Sequence, residues 1–259
     1  MNGTVTVLDK GPVRIHSYMS PIDTFHATTQ LIETPARIIV IDAQLDPACA
    51  DEAAAYAKGL GKPLDRLIVT HAHPDHYNGA ASFDAPVHVL PQVREQIAAR
   101  PAGELPNGLA VPATDLTPSV DITPGTEVID GVPFVFEAVS GGEAADELLI
   151  KLPDQGVLVA QDLVYNDVHL YLGNNDITGW QRVVDALASE SGYDTILAGH
   201  GLPAGPEVYE EIHRYLADAR ELLGDDGQAY KKAIVDRYPS HVGPFIIDIA
   251  NRSLFPAGN

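Results

Sequence analysis

The stretch THAHPDHYNG, residues 70–79, decides the fold of this chain. It follows the apolar run LIV at residues 67–69, which is typical of a buried strand, so it should form the loop at the carboxyl end of that strand. Three imidazoles and one carboxylate lie within this loop. Because imidazole nitrogens and carboxylate oxygens are the ligands that Zn²⁺ and similar ions prefer, the stretch predicts a metal site. The four residues divide into two pairs, one for each of two ions: His71 with His73, and Asp75 with His76.

Two later strand ends supply further candidate ligands. Asp162 follows the apolar run VLVA at residues 157–160, and His200 stands between two glycines after another apolar run. Taken singly, such an Asp is usually a helix cap or a turn former, and such a His is more often structural. The histidine cluster cannot fill the coordination spheres of two ions alone. We therefore expect His200 to complete one sphere and Asp162 to bridge both ions.

The order of elements along the chain predicts the fold class. Short runs rich in β-branched residues, separated by Gly, Pro and Asp, are followed by helical stretches, twice over. This pattern favours an α/β fold in which two packed sheets carry helices on the outside. We expect a single domain over residues 1–259, with a helical C-terminal tail from about 205.

Taken together, these motifs and Asp42, which follows the early strands, resemble the metallo-β-lactamase superfamily over most of the chain. The resemblance implies a four-layer αβ/βα sandwich, with the metal ions at the edge between the two sheets. Members usually supply one more His from a loop before the bridging Asp. Here that loop reads VSGGEAADE at residues 139–147 and has no His.

The histidine-free loop is similar to that of the alkylsulfatase branch of the superfamily. In that branch a Glu-Ala-x-x-Glu segment supplies the ligand from its first Glu. The resemblance therefore implies Glu143 as the ligand, 19 residues before Asp162 (162 − 143), with Glu147 as the alternative.

The complete ligand set would serve two divalent metal ions. The first ion is assigned to His71, His73 and Glu143, the second to Asp75, His76 and His200, and Asp162 bridges them. Zn²⁺ is the first expectation for this mixture of nitrogen and oxygen ligands. The carboxylate in place of a His also favours harder ions such as Mn²⁺ or Fe²⁺.

Such a site predicts a hydrolase. Two ions a few ångströms apart lower the pKa of a bridging water toward ~7, and the resulting hydroxide attacks a small ester-like substrate such as a lactone. Asp75 would orient the hydroxide or accept its proton. Tyr165 and His169 follow the bridging Asp along the chain and would hydrogen-bond a substrate oxygen, although a packing role stays open for both.

Two other functions stay open. The superfamily also contains mononuclear-iron persulfide dioxygenases, which are oxidoreductases, but these normally keep a His at the position of Glu143. A metal-binding domain without turnover is the second alternative, although a degraded site would be expected to lose ligands.

The excess of acidic over basic residues limits the classes of molecule that the protein is expected to bind. The chain has 259 residues, with 36 acidic against 16 basic side chains and a formal net charge of −20. Such a surface repels phosphate backbones, so we expect a small-molecule substrate and no nucleic-acid partner. No apolar run approaches the ~18 residues that cross a bilayer, and the first residues lack the features of a signal peptide. The chain has one cysteine, Cys49, and therefore no internal disulfide framework, which fits a reducing compartment. These features together favour a cytoplasmic protein without membrane contact. They leave the oligomeric state open.

Overall fold

Extended segments of the chain form two main β-sheets. The computed structural model describes residues 1–104, 110–117 and 119–256. The strands in these ranges are β1 Thr4–Lys10, β2 Val13–Met19, β3 Thr28–Glu33, β4 Ile38–Ile41, β5 Leu64–Val69, β6 Val87–Val89, β7 Gly103–Glu104, β8 Ala110–Val111, β9 Ser119–Asp121, β10 Gly125–Ile129, β11 Val132–Ser140, β12 Asp146–Leu152, β13 Val157–Tyr165 and β14 Thr195–His200. The larger sheet has the order β1-β2-β3-β4-β5-β6-β9, and the smaller has the order β10-β11-β12-β13-β14. β7 and β8 pair separately as a short hairpin.

Parallel pairing brings the ends of several strands to the same edge of each sheet. In the larger sheet β1 to β4 are antiparallel neighbours, whereas β4, β5, β6 and β9 run parallel. In the smaller sheet β13 and β14 are parallel, with register shifts between Val159 and Tyr165. The carboxyl ends of β4 and β5 therefore lie side by side, as do those of β13 and β14. Polar residues at or near these four ends build the site.

Helices cover the outer faces of the sheets. The helices in the described residues are α1 Pro47–Gly59, α2 Pro74–Tyr77, α3 Pro91–Ala99, α4 Ile177–Ser189, α5 Val208–Leu222, α6 Gly227–Arg237 and α7 Phe245–Leu254. α1 and α3 bury their apolar faces in one hydrophobic core, which they share with the larger sheet and one face of the smaller. α4 and α5 bury theirs in a second core with the other face of the smaller sheet. The layers run helix, sheet, sheet, helix, which confirms the predicted α/β fold.

Strand β13 shows how the two cores divide. Val157 and Val159 belong to the first core, whereas Leu158 and Ala160 belong to the second, because successive side chains of a strand point to opposite faces. A strand buried on both faces is typically a continuous apolar run, as the sequence VLVA is. Full burial of one such Val or Leu contributes about 1.5–3 kcal/mol. The packing on both faces therefore fixes the backbone that carries Asp162.

Three helices make up most of the chain after residue 205. α5, α6 and α7 follow one another there, and α7 returns to the early loops of the chain, where the rings of Phe245 and Phe25 meet edge to face at 5.3 Å. Within the described ranges, no helix combines the length and the apolar character that crossing a bilayer requires.

Candidate metal centre

The seven predicted metal ligands come from five elements of the fold and meet where the two sheets face each other. They lie in the loop after β5 (His71, His73), in α2 (Asp75, His76), in the β11–β12 loop (Glu143), in β13 (Asp162) and at the end of β14 (His200). α2 begins with Pro74, whose ring restricts the backbone to the conformation that a first helical turn requires. This single turn places two of the ligands directly after the strand.

The first ligand group consists of His71, His73, Glu143 and Asp162, with one atom of each within 4.8 Å of all the others. His73 Nδ1 lies 2.9 Å from Glu143 Oε2, and His71 Nε2 lies 3.9 Å from the same oxygen. His71 Nε2 is also 3.5 Å from Asp162 Oδ2. These are the residues that the sequence assigned to the first ion, together with the bridging Asp.

The second ligand group consists of Asp75, His76 and His200, again within 4.8 Å of one another. Asp75 Oδ2 lies 3.4 Å from His200 Nε2 and 3.6 Å from His76 Nε2. Asp162 reaches this group as well, because its Oδ1 is 3.1 Å from His76 Nε2 and its Oδ2 is 3.1 Å from His200 Nε2. The structure therefore places Asp162 between the two groups.

Several ligand atoms in these groups are buried and form no hydrogen bond with the part of the chain that the structure describes. They are His71 Nε2, His76 Nε2, Glu143 Oε2 and Asp162 Oδ1. An unpaired buried polar atom costs about 1–3 kcal/mol, and more if it is charged, so four of them directed toward each other require a partner. A divalent cation is the partner that bare imidazole nitrogens and carboxylate oxygens share. The residues present therefore fit a metal centre.

The carboxylates of the first group strongly influence each other. Burial, and after it the charge of Asp162, raises the pKa of Glu143 well above its usual range. Burial opposes ionisation of Asp162 too, but the charges of three surrounding imidazoles outweigh it and hold the pKa of Asp162 well below its usual range. A cation bound between these carboxyls would favour the ionised form of Glu143, so metal binding and ionisation of Glu143 support each other.

Three of the imidazoles are held by their other ring nitrogen. The pairs are His71 Nδ1 with Thr70 Oγ1 at 3.0 Å, His76 Nδ1 with Asp42 Oδ2 at 2.9 Å, and His200 Nδ1 with the Phe25 carbonyl at 2.9 Å. The carboxylate and the carbonyl only accept, and the Thr70 hydroxyl already donates to Asp42, so each Nδ1 carries the proton. When a metal ion replaces the proton on Nε2, such a ring is neutral and presents the lone pair of Nε2 to the ion. These contacts therefore direct three Nε2 lone pairs into the two groups.

Asp42 is the main support of the loop after β5. Its side chain is fully buried and accepts from the Thr70 backbone nitrogen, the Thr70 hydroxyl, Gln161 Nε2 and the ring of His76. Its backbone is in the left-handed region at φ 61°, an uncommon conformation for a residue with a side chain. Asp42 forms a third possible ligand group with His71 and His76, but these hydrogen bonds already occupy its oxygens. Gln161 was not identified from the sequence, where only its position next to Asp162 sets it apart.

Glu147, the alternative ligand, supports the loop that presents Glu143. Its Oε1 accepts a hydrogen bond of 3.0 Å from the Ala144 backbone nitrogen. Among the described residues, the ligand groups contain Glu143 and not Glu147. The geometry therefore favours Glu143 as the ligand.

Tyr165 lies directly against the ligands. Its hydroxyl donates to Asp162 Oδ2 at 3.1 Å and lies 3.4 Å from Glu143 Oε1. Its ring stacks on that of His200, with 4.4 Å between the centroids. Burial, reinforced by the charges of Asp162 and Glu143, raises its pKa well above the usual range, so the phenol keeps its proton.

The structure does not bring His169 to this site. Its Nδ1 pairs with the Tyr215 hydroxyl at 2.9 Å, and its ring lies 5.6 Å from that of His241. The neighbouring Val168 bridges to Val242, and the His169 backbone nitrogen donates to the Val242 carbonyl, so this part of the chain pairs with the C-terminal segment. The short sequence distance from Asp162 suggested a role on the substrate, but none of the described contacts of His169 supports that role.

An open cavity borders both ligand groups. Besides ligand residues and Tyr165, its lining includes Phe25, Leu45, Arg100, Tyr171, Ile246 and Ile249. The last two come from α7 and Phe25 from the loop before β3, so segments far apart in the chain form the wall. The sequence contained no signal for these lining residues, because each lies in an ordinary apolar or helical context.

Comparison with known proteins agrees with the superfamily that the sequence motifs resemble. Residues 23–200 match the profile of the family described as the Metallo-beta-lactamase superfamily. A metallo-beta-lactamase from Pontibacter korlensis superposes with a TM-score of 0.67 at 19% identity, over 83% of this chain and 100% of that chain. The mono-zinc form of FIM-1 from Pseudomonas aeruginosa does so with a TM-score of 0.62 at 20% identity, over 85% and 96% of the two chains. At such identities the structural likeness shows the fold alone.

One relative by sequence is the alkyl/aryl-sulfatase BDS1 of Saccharomyces cerevisiae. It is 29% identical over 240 residues, which cover 74% of this chain and 37% of the relative. The chain thus spans little more than a third of the length of that protein.

Proposed function

Because this chain belongs to the metallo-β-lactamase superfamily, we propose that it is a metal-dependent hydrolase that cleaves a small ester-like substrate such as a lactone. The observation that carries the proposal is the pair of ligand groups that meet at Asp162. Both groups border one open cavity, so a substrate can reach them together.

Two divalent metal ions would occupy this ligand set. His71, His73 and Glu143 would hold the first, Asp75, His76 and His200 the second, and Asp162 both. Zn²⁺ is the first choice for such mixed nitrogen and oxygen ligands, with Mn²⁺ or Fe²⁺ as alternatives. When bound, the ions lower the pKa of a water toward ~7 and polarise the substrate carbonyl.

Asp75 is suited to orient the attacking water. Its side chain is 15% exposed, whereas those of Glu143 and Asp162 are 0% and 1% exposed. Burial would raise its pKa, but the neighbouring His76 and His200 hold it well below the usual range, so Asp75 is ionised at neutral pH. Asp75 would therefore orient the attacking water toward the substrate through a hydrogen bond, although so low a pKa makes its carboxylate a weak acceptor of the proton.

Tyr165 is suited to act as a hydrogen-bond donor to the substrate. Its hydroxyl donates to Asp162 and lines the cavity, and its raised pKa keeps the proton on the oxygen. Rotation of that hydroxyl directs the proton to a substrate oxygen on which negative charge develops.

Metal analysis followed by a substrate screen tests the proposal. We expect two ions per chain after metal-saturated purification, and turnover of at least one lactone or carboxylic ester that a chelator abolishes and metal restores. His76→Ala should abolish turnover, because it removes a nitrogen ligand that no neighbour replaces. One ion or none per chain, or hydrolysis that survives complete metal removal, would exclude the mechanism.

Hydrolysis of sulfate esters is a second candidate function. The similarity to an alkyl/aryl-sulfatase favours it, as does the Glu-Ala-Ala-Asp-Glu segment that begins at Glu143. The same screen separates the two candidates if it includes alkyl sulfates: release of inorganic sulfate, without hydrolysis of lactones, would replace the first proposal by the second.

A further inference from the structure

The cavity beside the metal ligands contains one basic side chain of the Lys/Arg type among its described lining residues, Arg100. We propose that Arg100 binds an anionic group that the substrate carries apart from its scissile bond, while Phe25, Leu45 and Ile246 bind an apolar part. The substrate class is then an amphiphilic, singly charged ester. This inference rests on the proposed hydrolase function and defines its specificity.

Arg100 has no carboxylate partner among the described residues. The hydrogen bond recorded for its guanidinium goes to the Ala72 carbonyl at 3.5 Å, the outer limit of such a bond. Other arginines of this acidic chain pair with two carboxylates each: Arg37 with Asp65 and Asp130, and Arg66 with Asp65 and Glu127. Within the described residues, most of the five donors of the Arg100 guanidinium therefore remain for another group.

The position of Arg100 suits contact with a bound substrate. It stands at the C-terminal end of α3, where its backbone nitrogen donates to the Ile97 carbonyl, and it is half-buried. Ala72, its hydrogen-bond partner, lies between His71 and His73 in the chain. Arg100 thus flanks the first ligand group.

The apolar wall flanks the second ligand group. The Phe25 carbonyl holds His200, and the Phe25 ring packs against Phe245 of α7. Leu45 and Ile246 are each 2% exposed and belong to the same hydrophobic core as Phe25. A substrate that extends from Arg100 to this wall passes both ligand groups.

Charge explains why an anionic substrate needs Arg100. The ligand set contains three carboxylates, the nearby Asp42 is a fourth, and the whole chain has a net charge of −20. Two divalent ions roughly neutralise the site, but they leave no excess positive charge for an anion at a distance from the scissile bond. A planar guanidinium supplies that charge and matches a carboxylate with two parallel hydrogen bonds.

Two matched esters test the proposal on the metal-loaded protein. 4-Nitrophenyl hydrogen glutarate carries a terminal carboxylate, and 4-nitrophenyl pentanoate has an acyl chain of equal length without it. In both, the oxygen of water adds to the acyl carbon, the acyl C–O bond breaks, and 4-nitrophenolate leaves with the electron pair while the protons go to solvent. Arg100→Met should lower kcat/KM for the charged ester about ten- to a hundredfold more than for the neutral one, chiefly through KM.

Two further variants act as controls. Arg100→Lys keeps the charge and should recover part of the preference, while Arg220→Met removes an equal charge from an exposed position on α5 and should leave the preference unchanged. If Arg100→Met lowers the rates of both esters equally, Arg100 only positions the loop and the inference is wrong.

Direct binding separates this inference from the proposed function. Pentane-1-sulfonate, an anion that binds metals weakly, is titrated calorimetrically into the metal-loaded wild type and Arg100→Met. We expect at least tenfold weaker binding to the variant. Equal binding, or no detectable binding to the wild type, would overturn the role of Arg100 whether or not any ester is cleaved. If neither ester is hydrolysed but the sulfonate binds through Arg100, the proposed ester hydrolysis fails and the anion site stands.

Discussion

Replacement of Glu143 by Gln should have opposite effects on the metal-free and the metal-loaded protein. The Glu143 carboxylate is fully buried, with Oε2 at 2.9 Å from His73 Nδ1, and it repels the neighbouring Asp162. Without metal, burial of this carboxylate costs free energy, so Glu143→Gln should raise the melting temperature. With metal, the variant lacks an anionic ligand and should gain less from each ion.

The magnitude follows from the ligand position. Loss of a coordinating anion should cost at least as much as loss of a supporting hydrogen bond, which is about 10- to 100-fold in metal affinity. Each factor of ten corresponds to ~1.4 kcal/mol of binding free energy. A domain of this size shifts its melting temperature by roughly 2–4 °C per kcal/mol, so the metal-induced rise should shrink by about 3–6 °C for each tenfold loss.

The matched control is Glu147→Gln, which retains the oxygen that accepts from the Ala144 backbone nitrogen. Its metal affinity should stay close to that of the wild type. Both variants are melted with and without metal, and their affinities are measured by competition with a chromophoric chelator. If Glu147→Gln loses the metal and Glu143→Gln retains it, the assignment of the ligand is wrong.

Two further predictions concern neighbouring packing and a buried imidazole. Gly199→Ala should lower metal affinity, because a Cβ at this position collides with Asp162 Oδ1. The control is Gly224→Ala, where a Cβ has no described atom within 4 Å. This control should bind metal normally in the same competition assay. Burial, and after it the charge of a neighbouring His, lowers the pKa of His169 to about 4 from the usual 6.5. His169 therefore binds a proton at a higher pH in the unfolded chain than in the folded one. The contribution of neutral His169 to the free energy of unfolding is complete above about pH 6.5 and is lost as the pH falls toward 4. Urea unfolding of His169→Gln from pH 7.5 to pH 4.5 should show a smaller loss of stability than the wild type, and equal slopes would contradict this assignment.

Short segments of this sequence are sufficient to predict much of the fold and of the ligand set. An apolar run such as VLVA predicts a strand buried on both faces, with the polar residue that follows it near the carboxyl end of that strand. In the structure β13 continues to Tyr165, and Asp162 lies in its irregular second half beside β14. That reasoning from the sequence predicts that Asp162 and His200 lie near the histidine cluster. The choice of Glu143 over Glu147 needed the resemblance to a known branch, and the contact of Glu147 with the loop backbone agrees with it.

The sequence by itself determined which residue types could bind metal and at which strand ends they stand, because ligand chemistry and strand periodicity are properties of short segments. Only the tertiary structure decided which side chains share the cavity. His169 is close to Asp162 in the chain, but this part of the chain pairs with the C-terminal segment at Val242. Arg100 and Phe25 are far apart in the chain and line the same cavity. The direction of a side chain depends on long-range packing against other elements, and no short segment of sequence contains that information.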